Sequence, residues 1–159
     1  YFAARHATSE LADEVNRKPQ FLRSEVPGMK ASQIREPDRI RPREGRTLDI
    51  KVGGRNLNGE QLDDYLNLIK QSQDPNNTAL RNKLKGLGIG DGELKGHDYL
   101  FLPTQGSDIQ ETLSRAYFFI RRKDQTLRRV RIYYVDNAGD IWRYYEPGRT
   151  IKVGSELGI

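Results

Sequence analysis

A chain of 159 residues with 35% hydrophobic and 31% charged side chains can bury one useful core beneath a large polar surface. The lack of cysteine excludes disulfide frameworks, thiolate zinc sites and cysteine nucleophiles, and no apolar run approaches a membrane-spanning length. A formal charge of +5 and a pI of about 9.5 favour anionic partners, nucleic acid above all.

The chain opens on Tyr1-Phe2-Ala3-Ala4-Arg5 with no secretory apolar region, as expected of a fragment of a longer protein. A helix is expected over residues 2–17, where Ala4, Ala7, Leu11 and Val15 recur at three or four residues before Pro19 bars continuation. Residues 20–34 are mixed, with a turn at Pro27-Gly28. Residues 39–42 and 47–52 read as two strands joined by Arg43-Glu44-Gly45-Arg46. A second helix starts at Asn58, a good cap, with Gln61 at the reciprocal position of a capping box and a stripe of Leu62, Tyr65, Leu66 and Ile69. Asp74-Pro75-Asn76-Asn77 ends it, and a short helix over residues 78–84 follows.

Gly86, Gly88, Gly90 and Gly92 make a pliable loop. It is not a phosphate loop, since no Gly-Lys-Ser/Thr ending is present. Residues 99–102 suit a buried strand ended by Pro103. Ser107 and Gln110 form a capping box for a helix carried by Ile109, Leu113, Ala116, Tyr117 and Ile120. Residues 127–135 and 141–145 form the clearest hairpin, turning through Asn137-Ala138-Gly139-Asp140. Without the short helix the order is helix, strand, strand, helix, strand, helix, strand, strand, an α/β or α+β pattern in a single domain over 1–159.

Two motifs in the first half carry the chemistry. Pro37-Asp38 is followed after ten residues by Asp49-Ile50-Lys51, on a run where Asp49 and Lys51 share one strand face. Gln61-Leu-Asp-Asp-Tyr65 then falls on the helix beyond a Gly53-Gly54 turn. Carboxylates hold a hard divalent cation, and a neighbouring ammonium offsets charge on a phosphorane. This pattern resembles the PD-(D/E)XK nuclease superfamily, and the Q-x-x-x-Y element resembles its RecB-like branch. The resemblance covers about residues 4–103, and residues 104–159 add a helix and a basic hairpin.

The resemblance implies a restriction-endonuclease-like fold, a mixed central sheet flanked by helices. It implies Asp38 and Asp49 as ligands of Mg²⁺ or Mn²⁺, Lys51 as the residue that poises water, and Gln61 and Tyr65 as organisers of the site. It also implies an acid on the first helix, for which Glu14 is the first choice beside Glu10 and Glu25. A small, cysteine-free, basic fragment with these motifs is similar to C-terminal toxin domains of bacterial polymorphic toxins of the contact-dependent growth inhibition and Rhs types. That family implies a secreted effector fragment acting in the target-cell cytoplasm, a cognate immunity protein as partner, and cleavage of DNA, with tRNA as the alternative.

Each position has a plainer reading. Asp38 suits a turn after proline, Asp49 an exposed strand pair with Lys51, Gln61 a cap and Tyr65 helix packing. His6 and His97 are too few for a zinc site, and His97 beside Asp98 reads as structural or capping. Arg121, Arg122, Lys123, Arg128, Arg129 and Arg131 place six basic residues within eleven positions, near Tyr133, Tyr134, Trp142, Tyr144 and Tyr145. Phosphate contact and base stacking are one use for them, an ordinary hairpin over a tyrosine-rich core the other. Alternation puts Val130, Ile132 and Tyr134 on one face and Arg129, Arg131 and Tyr133 on the other, the face expected to meet substrate or an acidic inhibitor. A non-catalytic binding module and a structural domain of a phage or secretion apparatus are the rival classes.

Overall fold

The computed structural model describes residues 18–54, 56–104 and 108–153. The expected helix over residues 2–17, with Glu10, Glu14 and His6, and the expected cap Ser107 lie outside them. In chain order, β1 (Phe21–Leu22) and β2 (Ile34–Arg35) form a two-stranded antiparallel ribbon, followed by β3 (Arg39–Arg41) and β4 (Arg46–Val52). Helices α1 (Gly59–Ser72) and α2 (Thr78–Gly86) lead to β5 (Gly96–Leu102), then α3 (Ile109–Arg121), β6 (Val130–Val135), β7 (Ile141–Glu146) and β8 (Arg149–Lys152). The class is mixed α+β.

Strands β3 to β8 lie side by side in chain order in one six-stranded sheet. The β3–β4 pair is antiparallel and closes through a tight turn in which Gly45 takes φ 66°, a left-handed conformation that suits glycine. The β4–β5 and β5–β6 pairs are parallel, so each needs a crossover, supplied by α1 with α2 and by α3. The β6–β7 and β7–β8 pairs are antiparallel again.

Local signals account for the helix starts. The Asn58 side chain accepts from the Gln61 amide at 3.0 Å, and Asn77 accepts from the Leu80 amide at 3.2 Å. Helix α3 is capped by Asp108, which accepts from Gln110 at 3.0 Å and Glu111 at 3.4 Å.

Alternation along β4 and β5 divides the interior. On one face Tyr99 and Phe101 meet Leu62 of α1, Leu113, Ala116, Tyr117 and Ile120 of α3, and Val130, Ile132 and Tyr134 of β6. On the other, Leu48, Leu100 and Leu102 pack with Tyr133, Val135, Ile141 and Val153. A third cluster, including Phe21, Ile40, Leu68, Leu80 and Leu84, fastens α1 and α2 beside β3.

Strand β5 begins three residues before the apolar run that announces it. Gly96, His97 and Asp98 are poor strand formers, yet they pair in register with Arg46, Thr47 and Leu48. Asp98 is fully buried, and its two oxygens accept from Arg41 Nη1 and Arg46 Nε, each at 2.7 Å. Arg46 also donates to the Arg129 carbonyl at 3.0 Å and so ties β4 to the approach to β6. A Cβ at Gly96 would overlap that carbonyl and the Arg46 guanidinium, so only glycine fits.

Candidate active site

The segment entering β3 is fixed from α1. Asp64 accepts from Arg35 Nη2 at 2.6 Å and from the amides of Lys30 at 2.6 Å and Ala31 at 3.1 Å. This holds the run leading to the buried Pro37, and therefore to Asp38, against the helix that carries Gln61 and Tyr65. Asp38 and Asp49 then clasp each other across the β3–β4 edge. The Asp38 amide donates to Asp49 Oδ1 at 3.0 Å, and Asp38 Oδ2 accepts from the Ile50 amide at 2.8 Å. One oxygen of each carboxylate is left outside this clasp. Asp38 Oδ1 is 3.7 Å from Lys18 Nζ on the partly exposed side.

Asp49 is only 3% exposed, which corrects the expectation of an exposed strand residue. Burial pushes its carboxyl above the usual carboxylate range, against the opposing influence of the Tyr65 hydroxyl and the Asp38 amide. Its Oδ2 has no hydrogen-bond partner among the described residues and lies 3.7 Å from His97 Nε2. The Tyr65 hydroxyl favours the charged form of this carboxyl. Burial, then the Asp49 charge, raises the pKa of that hydroxyl and of the Tyr99 hydroxyl well above the ordinary tyrosine value, so both remain protonated.

His97 has no role in the motif pattern, and the fold brings it in. It is fully buried on β5, stacks on Tyr65 with ring centres 3.7 Å apart and planes at 17°, and meets Tyr99 edge-on at 4.7 Å. Its Nδ1 engages Thr47 Oγ1 at 2.6 Å, which leaves Nε2 facing Asp49. Burial, with the Arg46 and Lys51 charges, holds its pKa well below the ordinary histidine value, so the ring is neutral. The only available signal is the parallel register that sets His97 opposite Thr47, a pairing fifty positions apart in sequence.

Four buried polar atoms, Asp49 Oδ2, Tyr65 Oη, His97 Nε2 and Tyr99 Oη, have no hydrogen-bond partner among the described residues. Buried polar atoms are seldom left so, and this grouping marks a polar centre that a water or an ion would satisfy. Lys51 borders it. Its Nζ donates to Gln61 Oε1 at 3.0 Å and lies 5.7 Å from the centre of the Tyr99 ring. The Gln61 side chain therefore turns to the lysine instead of closing a capping box.

The other expected acids do not join. Glu25 accepts from the Leu22 amide and pairs with Lys83, each at 2.8 Å, and Glu14 lies outside the described residues. Among the described residues no group of three or more histidines and acids gathers as a metal site.

The basic hairpin is rearranged relative to expectation. Tyr133, Tyr134 and Tyr144 are buried, Trp142 donates to Asp136 at 2.8 Å, and the Tyr145 ring lies between Arg143 and Arg149, 4.2 and 4.7 Å from its centre. Arg131 is half-buried and Arg129 lies 3.6 Å from Asp124, so the face shared with Tyr133 is not an open basic strip. Lys123 pairs with Asp63 at 2.5 Å. Arg121, Arg122 and Arg128 are exposed. No family model, no curated protein and no solved structure matches this chain.

Proposed function

We propose that this chain is a metal-dependent nuclease of the PD-(D/E)XK type, a hydrolase acting on phosphodiesters. The observation that carries the reading is convergence. Asp38, Asp49, Lys51, Gln61 and Tyr65 are marked by motif alone; Asp38 and Asp49 share the backbone clasp, Lys51 bonds Gln61, and both Tyr65 and Lys51 favour the charged form of Asp49. The antiparallel β3–β4 pair, the helical crossover and the parallel β5 are compatible with a restriction-endonuclease-like core.

The donor set fits a hard cation. Asp38 and Asp49 each keep one oxygen outside the clasp, that of Asp49 is buried and unpartnered, and Mg²⁺ commonly takes one or two carboxylates and completes its shell with water and phosphate. Asp38 and Asp49 would hold the ion, which would polarise the scissile phosphate and acidify a bound water. The chain's own residues do the rest. Gln61 orients the Lys51 ammonium, which offsets charge growing on the phosphoryl oxygens. Neutral His97 and protonated Tyr65 flank Asp49 and restrict its orientation.

By resemblance, the setting is the toxin domain of an interbacterial effector that cuts DNA, with tRNA as the alternative, and is neutralised by an immunity protein. A second reading is a non-catalytic binding module. It is favoured by the amide clasp, which already gives Asp38 and Asp49 a structural use, and by the lack of a third acid among the described residues.

Purified protein is incubated with plasmid and with total tRNA, in Mg²⁺ or Mn²⁺ and after EDTA. The nuclease reading expects cleavage that chelation removes and either ion restores. Cleavage indifferent to thorough chelation would sink the metal mechanism. Binding with no cleavage in any ion would favour the module.

A further inference from the structure

The C-terminal end of α3 carries a second surface that the metal chemistry does not use. Phe118, Arg121, Arg122, Gln125 and Thr126 line an open concavity of about 720 Å³. Phe118 is 50% exposed, although its neighbour on the same helix, Tyr117, is buried in the core. Arg121 and Arg122 follow it by three and four positions, so all three share one helix face. Neither arginine pairs with an acid among the described residues, and Arg128 beyond the turn is exposed as well.

The turn that completes the concavity is tied by hydrogen bonds from backbone amides. The buried Asp124 carboxylate accepts from the Arg129 amide at 3.0 Å and the Val130 amide at 3.1 Å, and the Asp124 carbonyl accepts from the Leu127 amide at 3.0 Å. Leu127 packs against the core while holding φ at 48°, the one left-handed residue other than glycine among those described. Such strain persists where surrounding structure over-determines it, and it clusters at ligand sites. Gln125 and Thr126, just before Leu127, line the concavity with Phe118.

We infer that this concavity binds an unpaired nucleotide of a single-stranded nucleic acid. The exposed Phe118 ring offers a base a stacking platform, Arg121 and Arg122 meet the flanking phosphates, and Gln125 and Thr126 supply donors and acceptors for a base edge. A protein groove would call for several exposed apolar side chains, whereas Phe118 is the one large exposed apolar residue of this patch and guanidinium groups surround it. A duplex keeps its bases stacked inside and has nothing to offer the ring. The inference rests on the nuclease reading in taking nucleic acid as the ligand, and it deepens that reading by naming unpaired segments as the preferred substrate class. The binding itself needs no metal.

The test is fluorescence anisotropy in EDTA with the purified chain, using a labelled oligo(U) or oligo(dT) single strand and a labelled blunt duplex of equal length. Phe118→Ala, at an exposed position that leaves folding intact by circular dichroism, is expected to weaken single-strand binding about 5- to 100-fold. Duplex affinity should stay within about twofold, and Phe118→Trp should restore single-strand affinity. Arg121→Ala and Arg122→Ala should each flatten the single-strand salt slope by about 0.7. Unchanged single-strand affinity in Phe118→Ala overturns the inference, and so does equal loss on both probes, which would mark a plain backbone grip. A wild-type chain that binds single strands through Phe118 but cuts nothing keeps this site and loses the nuclease reading. A chain that cuts with Mg²⁺ while Phe118→Ala binds normally does the reverse.

Discussion

Because Asp49 is buried and its carboxyl is pushed above the usual carboxylate range, its ionised form costs folding free energy at neutral pH. A carboxyl with a raised folded pKa contributes its full stability below the unfolded value of about 3.9 and loses it as pH rises through the folded one. Asp49→Asn should therefore raise Tm near neutrality, by a margin that shrinks as pH falls towards that unfolded value. On the nuclease reading, cleavage should drop by about 100-fold or more in the same protein, since a proposed ligand and its charge are gone. Thermal melts across this pH range beside a cleavage assay check both halves. An Asp49→Asn protein that melts lower than the parent at neutral pH would mean the charge is better compensated than its surroundings indicate. Lys51 makes the opposite case. It is half-exposed, with one hydrogen bond to Gln61 and one distant aromatic neighbour, so Lys51→Ala should cost about 1 kcal/mol or less. Its cleavage rate should nevertheless fall about 100- to 1000-fold, and that of Gln61→Ala, which only orients the lysine, about tenfold. A Lys51→Ala protein cutting at the wild-type rate would reduce the acid-x-Lys match to coincidence.

Strands β4 and β5 are joined by more than their ladder, because Asp98 sits buried between Arg41 and Arg46. Asp98→Ala removes the anion shared by two buried guanidinium groups and should destabilise the fold by about 3–5 kcal/mol, measured as a shift in the urea midpoint. A loss below about 1 kcal/mol would show that the carbonyl contacts of Arg46 suffice. This network also shows what is legible in the sequence. The helix starts at Asn58 and Asn77, the stripes of α1 and α3, and the β3–β4 and β6–β7 hairpins all rest on contacts a few residues apart, and all are readable. The first three residues of β5 are not, since Gly96, His97 and Asp98 are held by pairing and ion contacts from fifty positions away. His97 is hidden for the same reason, and with it half of the environment of Asp49. Strand β8 is hidden because Arg149-Thr150-Ile151-Lys152 has the charged ends that protect a sheet edge and little apolar alternation. On β6 the alternation correctly divides Ile132 and Tyr134 from Tyr133, but it carries no sign that the second face is also covered.

At the scale of the molecule, folding has partly dehydrated the Asp38–Asp49 carboxylate pair, so cation binding and stability should be linked. An ion taken up by Asp38 and Asp49 would offset the cost of keeping Asp49 ionised in a buried place, a cost the unfolded chain does not bear. Binding to the folded state alone contributes about 2.7 kcal/mol when free ion is about 100 times its dissociation constant. For a chain of this length that is a rise in Tm of about 5 to 10 °C. Melts in Mn²⁺ or Mg²⁺ against EDTA, at constant ionic strength, should show this rise in the parent protein. Lys51→Ala should keep it, because the nuclease reading assigns the lysine to the chemistry and not to the ion, and Asp49→Asn should lose it. The comparison separates ion binding from turnover, since no substrate is present. A rise of equal size in Asp49→Asn would move the ion elsewhere on the surface. No rise in the parent at saturating ion would leave Asp38 and Asp49 as a structural clasp, and the binding-module reading would then account for the site better than the nuclease.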